Sequence, residues 1–317
     1  MNATPTFRGL HHVTAVTADA RPNLAFYTRV LGMRLVKRTV NQDDVSAYHL
    51  FYADAEGQPG TELTFFEWAH VPPARPGAGS VTETALRVRG GADTLAAWAA
   101  RFDRHGVAHD AVEDWAGLPS LAFQDPEGQR LRLIAEPSRE HDGVRALNPW
   151  PGSPLPAAQS VVGLGAVTLT VRDFAPTARV LTETLGFTPN AADGSLFEVN
   201  GGGPGRTLRL LTSNAAGASG AGGVHHVAWS VADRAEQERW LAHLTQARVA
   251  HSGLVDRHYF QSLYFRVPGG ILFEIATDGP GFTADGEDAA HLGERLSLPP
   301  FLETHRAEIE AGLRPLD

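Results

Sequence analysis

The sequence predicts an α+β protein in which four βαβββ modules pair into two domains of cupped, mixed β-sheets. The main observation is a repeat, because a β-like run, a helical run and strands separated by glycine turns recur four times. A single module of this kind leaves its sheet half exposed, so modules must pair to bury it. The length of 317 residues agrees, since about 150 residues per domain gives two domains.

The elements of each module follow from local signals. Pro22 and Pro176 stand in the first turn of two helical runs, where proline is tolerated. Gly32, Gly106 and Gly186 follow helix ends, where a left-handed backbone is favoured. The first strands are rich in valine and threonine, as strands generally are. They are GLHHVTAVT (9–17), TETALRVRG (82–90), VGLGAVTLTV (162–171) and GVHHVAWSV (223–231), and the helices lie near Pro22–Leu31, Asp93–His105, Pro176–Leu185 and Ala235–Gln246.

We expect the modules to pair in chain order. Residues 1–145 then hold two modules as the first domain, residues 146–160 form a proline-rich linker, and residues 161–280 hold the other two modules. Residues 281–317 form a C-terminal extension, in which THRAEIEAGL (304–313) is typical of a helix.

The composition excludes several functional classes. The formal net charge is −9 and no run of Lys or Arg occurs, which argues against a nucleic-acid partner. No stretch approaches the roughly 18 apolar residues that cross a bilayer, so we expect no membrane partner. The start lacks the apolar core of a signal peptide, and cysteine is absent, which excludes disulfides and thiolate chemistry. We expect a cytoplasmic protein that forms a homo-oligomer.

Comparison of the four modules isolates two histidine pairs and one glutamate that the fold itself does not require. The first strands of modules one and four carry His11-His12 and His225-His226, and only the last strand of module four carries a glutamate, Glu274, at its position. The corresponding pairs are Thr84-Ala85 in module two and Gly165-Ala166 in module three, and Phe65, Arg132 and Leu210 correspond to Glu274.

Adjacent strand residues face opposite sides, so one histidine of each pair can face the inside of the cup. His12, His226 and Glu274 then form a two-histidine, one-carboxylate set, which holds a divalent metal and leaves coordination positions open. The alternative for any single histidine is an ordinary core residue. Glu67 is interpreted as a solvated strand end, and His258 is the strongest competitor for a ligand role.

The motifs GLHHVT, YHLFYAD, GVHHVAWSV and FRVPGGILFEIAT together resemble the ring-cleaving dioxygenases of the vicinal-oxygen-chelate superfamily, in the branch that includes hydroquinone dioxygenases. The resemblance extends over essentially the whole chain. It implies the vicinal-oxygen-chelate fold, with modules one and four meeting at a mononuclear Fe(II), or Mn(II) as the alternative. The implied ligands are His12, His226 and Glu274, the set that the repeat comparison also gives. Other matching positions are His11, Thr14, His225, Arg257 and Tyr264.

The function that follows is extradiol-type cleavage of a hydroquinone or catechol by dioxygen. Tyr264 and His11 are candidates to move the hydroxyl proton, and Arg257 is a candidate to orient an anionic substrate. Tyr264 lies ten residues before Glu274, and a hairpin would return its phenol to the metal strand. Two alternatives stay open: a glyoxalase-like isomerase with Ni or Zn, and a protein that binds an aromatic compound without turnover.

Overall fold

The structure, a computed structural model, describes residues 4–136 and 148–316. Within these residues, sixteen strands form two eight-stranded sheets. The strands are β1 (Gly9–Thr17), β2 (Arg34–Asn41), β3 (Asp44–Ala53), β4 (Glu62–Glu67), β5 (Ser80–Arg89), β6 (Glu113–Trp115), β7 (Leu118–Gln124), β8 (Arg130–Glu136), β9 (Val161–Val171), β10 (Thr188–Pro189), β11 (Leu196–Glu198), β12 (Thr207–Thr212), β13 (Val224–Val231), β14 (His251–Asp256), β15 (Phe260–Arg266) and β16 (Leu272–Pro280).

The helices lie close to the predicted positions. The helices are α1 (Ala20–Ala25, continued in wider turns over Phe26–Val30), α2 (Ala92–His105), α3 (Phe174–Arg179, continued over Val180–Thr184), α4 (Arg234–Gln246) and α5 (Arg306–Gly312). Short 3₁₀ turns occupy Ala157–Gln159, Ala289–His291 and Pro300–His305. Among the described residues, no helix combines the length and apolar character that a bilayer crossing requires.

The predicted α+β class and the four modules are confirmed, but the modules do not pair in chain order. The first sheet has the strand order β14-β15-β16-β13-β1-β4-β3-β2, which joins modules one and four. The second has the order β10-β11-β12-β9-β5-β8-β7-β6, which joins modules two and three. The sheets therefore cut across the expected domains 1–145 and 161–280, and the linker connects two modules of one sheet. The boundary at residue 145 lies outside the described residues.

Pairing between the chain's two halves explains this arrangement. β1 pairs with β13 in antiparallel fashion, and β5 pairs in the same way with β9. Each pairing completes one sheet from two modules, so the exposed edge of a single module is covered. The β1–β13 contacts join residues more than two hundred positions apart, and the β5–β9 contacts join residues 73 to 90 positions apart.

The two faces of the first sheet have different partners. On β3, Tyr48, Leu50 and Tyr52 belong to the main apolar core, which also contains residues of the helices and of the second sheet. The alternate residues His49 and Phe51 face the inside of the cup, as the two-residue period of a strand requires. The face that holds the candidate site is therefore separated from the main core.

The ends of the helices show one error in the sequence interpretation. Asp19 and Asp173 cap α1 and α3 by accepting backbone N–H groups of Arg21 and Ala175. Glu67, interpreted from the sequence as a solvated strand end, is buried and accepts a hydrogen bond from the backbone N–H of Ala20. The carboxylate satisfies an N–H group at the start of α1, and this explains its burial.

The C-terminal extension packs against the first sheet. Phe282 contacts the rings of Phe51 and Tyr259, and the backbone N–H of Ser297 donates to the carbonyl of Arg38 on β2. The extension therefore contributes to the wall of the cup in which the candidate site lies.

Candidate metal centre

His12, His226 and Glu274 converge on one point inside the first sheet. His12 lies on β1, and His226 and Glu274 lie on the parallel strands β13 and β16. The Nε2 atoms of the two histidines are 3.2 Å apart, and they lie 3.2 and 3.0 Å from Oε2 of Glu274. All three side chains are buried. The structure thus brings together the three residues that the sequence singled out as ligands.

The spacing of these three atoms suits a bound cation. Ligand atoms about 2.1 Å from one ion lie about 3.0 Å apart when their bonds meet at right angles. Burial alone would raise the pKa of the Glu274 carboxyl, but the adjacent His12 and His226 together hold it well below its usual value. Oε2 of Glu274 is buried without a hydrogen-bond partner in the described part of the chain.

His11 determines which nitrogen of His12 carries a proton. Nε2 of His11 lies 3.0 Å from the carbonyl oxygen of Thr277, which can only accept, so this nitrogen donates. A neutral His11 then presents an unprotonated Nδ1 to Nδ1 of His12, 3.0 Å away. With His11 in this neutral form, His12 carries its proton on Nδ1, which leaves its Nε2, 3.2 Å from Oε2 of Glu274, free to bind a metal. This is the tautomer that a metal ligand needs. Nδ1 of His11 also lies 3.7 Å from Oε2 of the buried Glu62.

The second histidine pair repeats the arrangement. Nδ1 of His225 lies 2.7 Å from Nδ1 of His226. Burial, with the nearby His226 and Arg266, lowers the pKa of His225 to about 3, so His225 is neutral. Unlike His11, His225 also lines the cavity above the three converging atoms.

The cavity has a volume of about 340 Å³ and a largely aromatic wall. Its aromatic lining residues are Phe51, Phe66, Trp68, Tyr259, Phe260 and Tyr264. His12, His226 and Glu274 lie among the lining residues, so a small molecule in the cavity would reach the candidate metal position. Flat aromatic walls favour a flat aromatic ligand.

Tyr264 lies beside Glu274 on the cavity side of the sheet, as the hairpin prediction expected. It pairs directly with Glu274 across β15 and β16, while Leu263 and Phe265 enter the main core. Its hydroxyl accepts a hydrogen bond from Nε of Arg257 at 3.2 Å. Burial and the nearby Glu274 carboxylate raise its pKa, so the phenol keeps its proton.

The other predicted residues have more indirect positions. His11 and Thr14 are buried behind the cavity wall and do not line it. Arg257 lines the cavity, but its guanidinium forms an ion pair with Asp43. His258, the competitor for a ligand role, has a left-handed backbone (φ 69°) and does not line the cavity.

Several cavity residues were not identified from the sequence, and two polar residues, His49 and Ser262, matter most for the chemistry of the site. His49 lines the cavity, and its Nε2 lies 3.0 Å from the hydroxyl of Thr64, which in turn contacts the hydroxyl of Thr14. Burial, with repulsion from His12 and His226, lowers the pKa of His49 well below its usual value. The alternation of the β3 run YHLFY could have placed His49 in the cup, since Tyr48 and Leu50 flank it with the opposite orientation.

Ser262 is the second of these polar residues. Its hydroxyl donates to Oε1 of Glu274 from the neighbouring strand. This contact leaves Oε2 directed toward the two histidines. Ser262 lies two residues before Tyr264, and the strand period places both on the same face.

The second sheet allows an internal comparison at the same positions. Glu274 pairs with Ala228 on the neighbouring parallel strand, and Arg132 pairs with Ala85 in the same way. Arg132 therefore occupies the position of Glu274, as the sequence comparison indicated.

The position of His226 has a different counterpart from the predicted one. His226 precedes Ala228 by two residues, and Glu83 precedes Ala85 by two residues. Glu83 is therefore the counterpart of His226. The sequence comparison gives Ala85 instead, which is wrong by two residues, because the sequence does not show the pairing register of a strand. Ala85 and Ala228 occupy equivalent positions in the two sheets. Ala166 pairs with Ala85 and His12 pairs with Ala228, so Ala166 is the counterpart of His12.

The chain is similar to known proteins over most of its length. The family model of the Glyoxalase/Bleomycin resistance protein/Dioxygenase superfamily matches residues 9–133 and 163–275. The chain is 45% identical to the "Putative ring-cleaving dioxygenase MhqA" of Bacillus subtilis (strain 168), over 97% of this chain and 98% of that protein. It is 28% identical to the chlorohydroquinone/hydroquinone 1,2-dioxygenase of Sphingobium indicum, over 95% and 94% of the two chains.

A crystal structure of a "putative dioxygenase" from Bacillus subtilis subsp. subtilis str. 168 superimposes with a TM-score of 0.90 at 35% identity, covering 99% of both chains. Glyoxalase I from Zea mays shares the fold, with a TM-score of 0.59 at 13% identity over 85% of this chain and 92% of that chain. The chain therefore belongs to the Glyoxalase/Bleomycin resistance protein/Dioxygenase superfamily.

Proposed function

We propose that the protein is an Fe(II)-dependent dioxygenase that opens the ring of a hydroquinone. The observation that carries the proposal is the triangle of two imidazole nitrogens and one carboxylate oxygen, 3.0 to 3.2 Å apart, at an aromatic cavity. The name of the Sphingobium indicum relative supports hydroquinone as the substrate class. Dioxygen is the second substrate, and both of its atoms enter the ring-opened product.

His12, His226 and Glu274 would hold the metal. Three protein ligands that include one carboxylate suit Fe(II) and leave coordination positions for substrate and dioxygen, and Mn(II) would accept the same donors. When bound, the ion supplies a redox-active centre at which the ring and dioxygen can react. Ser262 holds the Glu274 carboxylate, and His11 fixes the His12 tautomer, so both act as positioning residues.

The cavity residues bind and orient the ring. Phe66 and Trp68 are stacked with their ring centroids 5.8 Å apart and form one wall, while Phe260 packs against His12. A bound ring would be held between aromatic surfaces with its hydroxyl directed toward Glu274. Fixing both reactants in one orientation removes much of the entropic cost of the reaction.

Three side chains can hold or move the hydroxyl proton. His49 and His225 line the cavity with lowered pKa values, so each offers an unprotonated nitrogen near neutral pH. Tyr264 keeps its proton and can donate it to an oxygen atom in the cavity. We assign His49 and His225 as neutral hydrogen-bond partners that orient the hydroxyl, because their lowered pKa values make them weak bases near neutral pH, and Tyr264 as a hydrogen-bond donor. Thr64 and Thr14 anchor the imidazole of His49.

The bond that breaks lies next to a hydroxyl. The two hydroxyls of a hydroquinone are on opposite carbons, so no ring bond joins two hydroxylated carbons. Cleavage must occur between a hydroxylated carbon and its neighbour, which is the extradiol type. The product then carries a carboxyl group and, where the neighbouring carbon bears hydrogen, an aldehyde.

The test is anaerobic loading of the purified protein with Fe(II), followed by oxygen uptake with methylhydroquinone and catechol. We expect uptake of one dioxygen per methylhydroquinone with Fe(II) and none with Zn(II), and mass spectrometry should find both oxygen atoms in the product. Isomerisation of a hemithioacetal by the Ni(II) or Zn(II) form, without oxygen uptake by the Fe(II) form, would instead favour the glyoxalase-like alternative.

A further inference from the structure

We propose that Asp43 excludes carboxylated aromatic compounds from the cavity by neutralising Arg257. The inference rests on the proposed function, because it names which hydroquinones the site accepts. It predicts that the protein selects uncharged hydroquinones over hydroquinones that carry a carboxylate.

Apart from the proposed metal, the cavity offers a ligand one permanently charged cationic side chain among the described residues. Arg257 is the only lysine or arginine that lines the cavity in the described part of the chain. Its Nη1 and Nη2 atoms donate to the two carboxylate oxygens of Asp43 at 3.1 and 2.9 Å. Two parallel hydrogen bonds of this kind are the strongest pairing that arginine forms with a carboxylate. The positive charge of Arg257, which an anionic substituent would need as its partner, is therefore already neutralised by Asp43.

Asp43 also opposes an anionic ligand directly. It lines the same cavity, and its side chain is 70% exposed, so it stands where the cavity meets solvent. A carboxylate entering beside Arg257 would meet a second negative charge. Like charges placed together exclude a ligand more effectively than a missing contact does.

The hairpin that carries Asp43 is fixed to the opposite wall. Asp43 lies between β2 and β3, and the neighbouring Gln42 donates from Nε2 to the backbone carbonyl of Arg257 at 2.8 Å. The hairpin is therefore held to Arg257 twice, by the carboxylate of Asp43 on the guanidinium and by the amide of Gln42 on the backbone carbonyl. The remaining walls are mainly aromatic and present no second cation among the described residues.

The test compares methylhydroquinone with 2,5-dihydroxybenzoate, a hydroquinone of similar size that carries a carboxylate. We expect Asp43→Asn to raise the ratio of kcat/KM for 2,5-dihydroxybenzoate to that for methylhydroquinone by about tenfold at low salt, the scale of one removed charge at a partly exposed site. Asparagine keeps the size of the side chain and one hydrogen bond to Arg257. Adding Arg257→Met to Asp43→Asn should return the ratio to that of the wild type.

Asp44→Asn is the matched control. Asp44 is the next residue of the hairpin, and its carboxylate accepts from Ser46 instead of Arg257. The control removes the same charge but should leave the ratio unchanged. An equal ratio in Asp43→Asn and the wild type, or an equal gain in Asp44→Asn, would overturn the proposal.

Equilibrium binding separates this inference from the proposed function. Anaerobic calorimetric titration with 2,5-dihydroxybenzoate should show about tenfold tighter binding to Asp43→Asn than to the wild type. If the wild type binds methylhydroquinone but consumes no oxygen, the proposed function fails while the binding result still decides the role of Asp43. Equal affinities of the two proteins for 2,5-dihydroxybenzoate would contradict the role of Asp43 regardless of turnover.

Discussion

Arg132 and Glu83 form a two-pronged ion pair in the second sheet, at the positions that Glu274 and His226 occupy in the first. Nε and Nη2 of Arg132 donate to the two oxygens of Glu83 at 2.9 and 3.1 Å. A carboxylate buried in a sheet needs a positive partner. The second sheet supplies this charge from a guanidinium, whereas in the first sheet the donors converge on a point suited to a metal ion.

The first prediction concerns this ion pair. Arg132→Met should lower the free energy of unfolding by about 3 kcal/mol, because it leaves the nearly buried Glu83 without its cation. The double variant with Glu83→Leu should recover most of that loss, because both charges of this pair are then gone and Glu113, the other carboxylate that Arg132 contacts, is exposed to solvent. Urea denaturation measures both effects. Metal content should stay unchanged in both variants, and a loss of metal would mean that the second sheet contributes to the metal centre.

The second prediction tests the candidate metal ligands. Glu274→Gln should weaken metal binding by at least about 10- to 100-fold, because an amide is a neutral and poorer ligand than a carboxylate. The fold should persist, since glutamine has the same shape and can accept from Ser262. Metal content by mass spectrometry and the circular dichroism spectrum check the two statements. Ala166→Ser, at the counterpart of His12, is the control and should retain metal fully.

Much of the candidate site could be predicted because the repeat provides its own comparison. Histidine pairs in only two of four otherwise similar strands indicated that His12 and His226 were not needed for the fold. The alternation of SLYFR placed Tyr264 on the face opposite Leu263 and Phe265. These inferences depend on local periodicity, which a sequence displays directly.

The inferences that failed depend on contacts between distant parts of the chain. The pairing of β1 with β13 decides which modules share a sheet, and apart from the histidine pairs that the two strands share, nothing near either strand marks it. The register between β5 and β8 decides that Glu83, and not Ala85, is the counterpart of His226. The burial of Glu67 depends on an unsatisfied N–H group of α1, which is distant in sequence but adjacent in space.

The third prediction concerns the hydrogen bond behind the metal centre. His11→Phe should reduce metal affinity by about 10- to 100-fold, because it removes the acceptor that holds the proton of His12 on Nδ1. His11→Gln keeps an acceptor and should lose less affinity than His11→Phe. Competition with a metal chelator gives both dissociation constants. Equal affinities of the two variants would show that His11 fills space without fixing the tautomer.

The fourth prediction is a pH dependence of stability far from the cavity. Burial raises the pKa of Asp125 to about 6, well above its ordinary value of 3.8. The folded protein therefore holds this proton more tightly than the unfolded chain does, and the contribution of Asp125 to stability falls as the pH rises from about 4 to about 6. The two-unit shift corresponds to a loss of about 2 to 3 kcal/mol at neutral pH.

Asp125→Asn should remove this dependence. Asparagine can still accept the backbone N–H groups of Glu127 and Gln129, and its amide can donate to the hydroxyl of Tyr27. The difference in unfolding free energy between variant and wild type should therefore grow in favour of the variant between pH 4 and pH 7. A constant difference across this range, measured by urea denaturation, would contradict the raised pKa.

The fifth prediction concerns Tyr264. Its hydroxyl is held by Arg257 and contacts no metal ligand through a hydrogen bond among the described residues, so Tyr264→Phe should retain the metal and the fold. Loss of a positioned proton donor should lower kcat for methylhydroquinone by about 10²-fold, with a smaller change in KM because the ring of the side chain remains. Tyr48→Phe is the control, since Tyr48 is buried in the main core of the same sheet and does not line the cavity. Oxygen-uptake kinetics of the two variants give the comparison, and equal kcat values for Tyr264→Phe and the wild type would show that the phenol only fills the cavity wall.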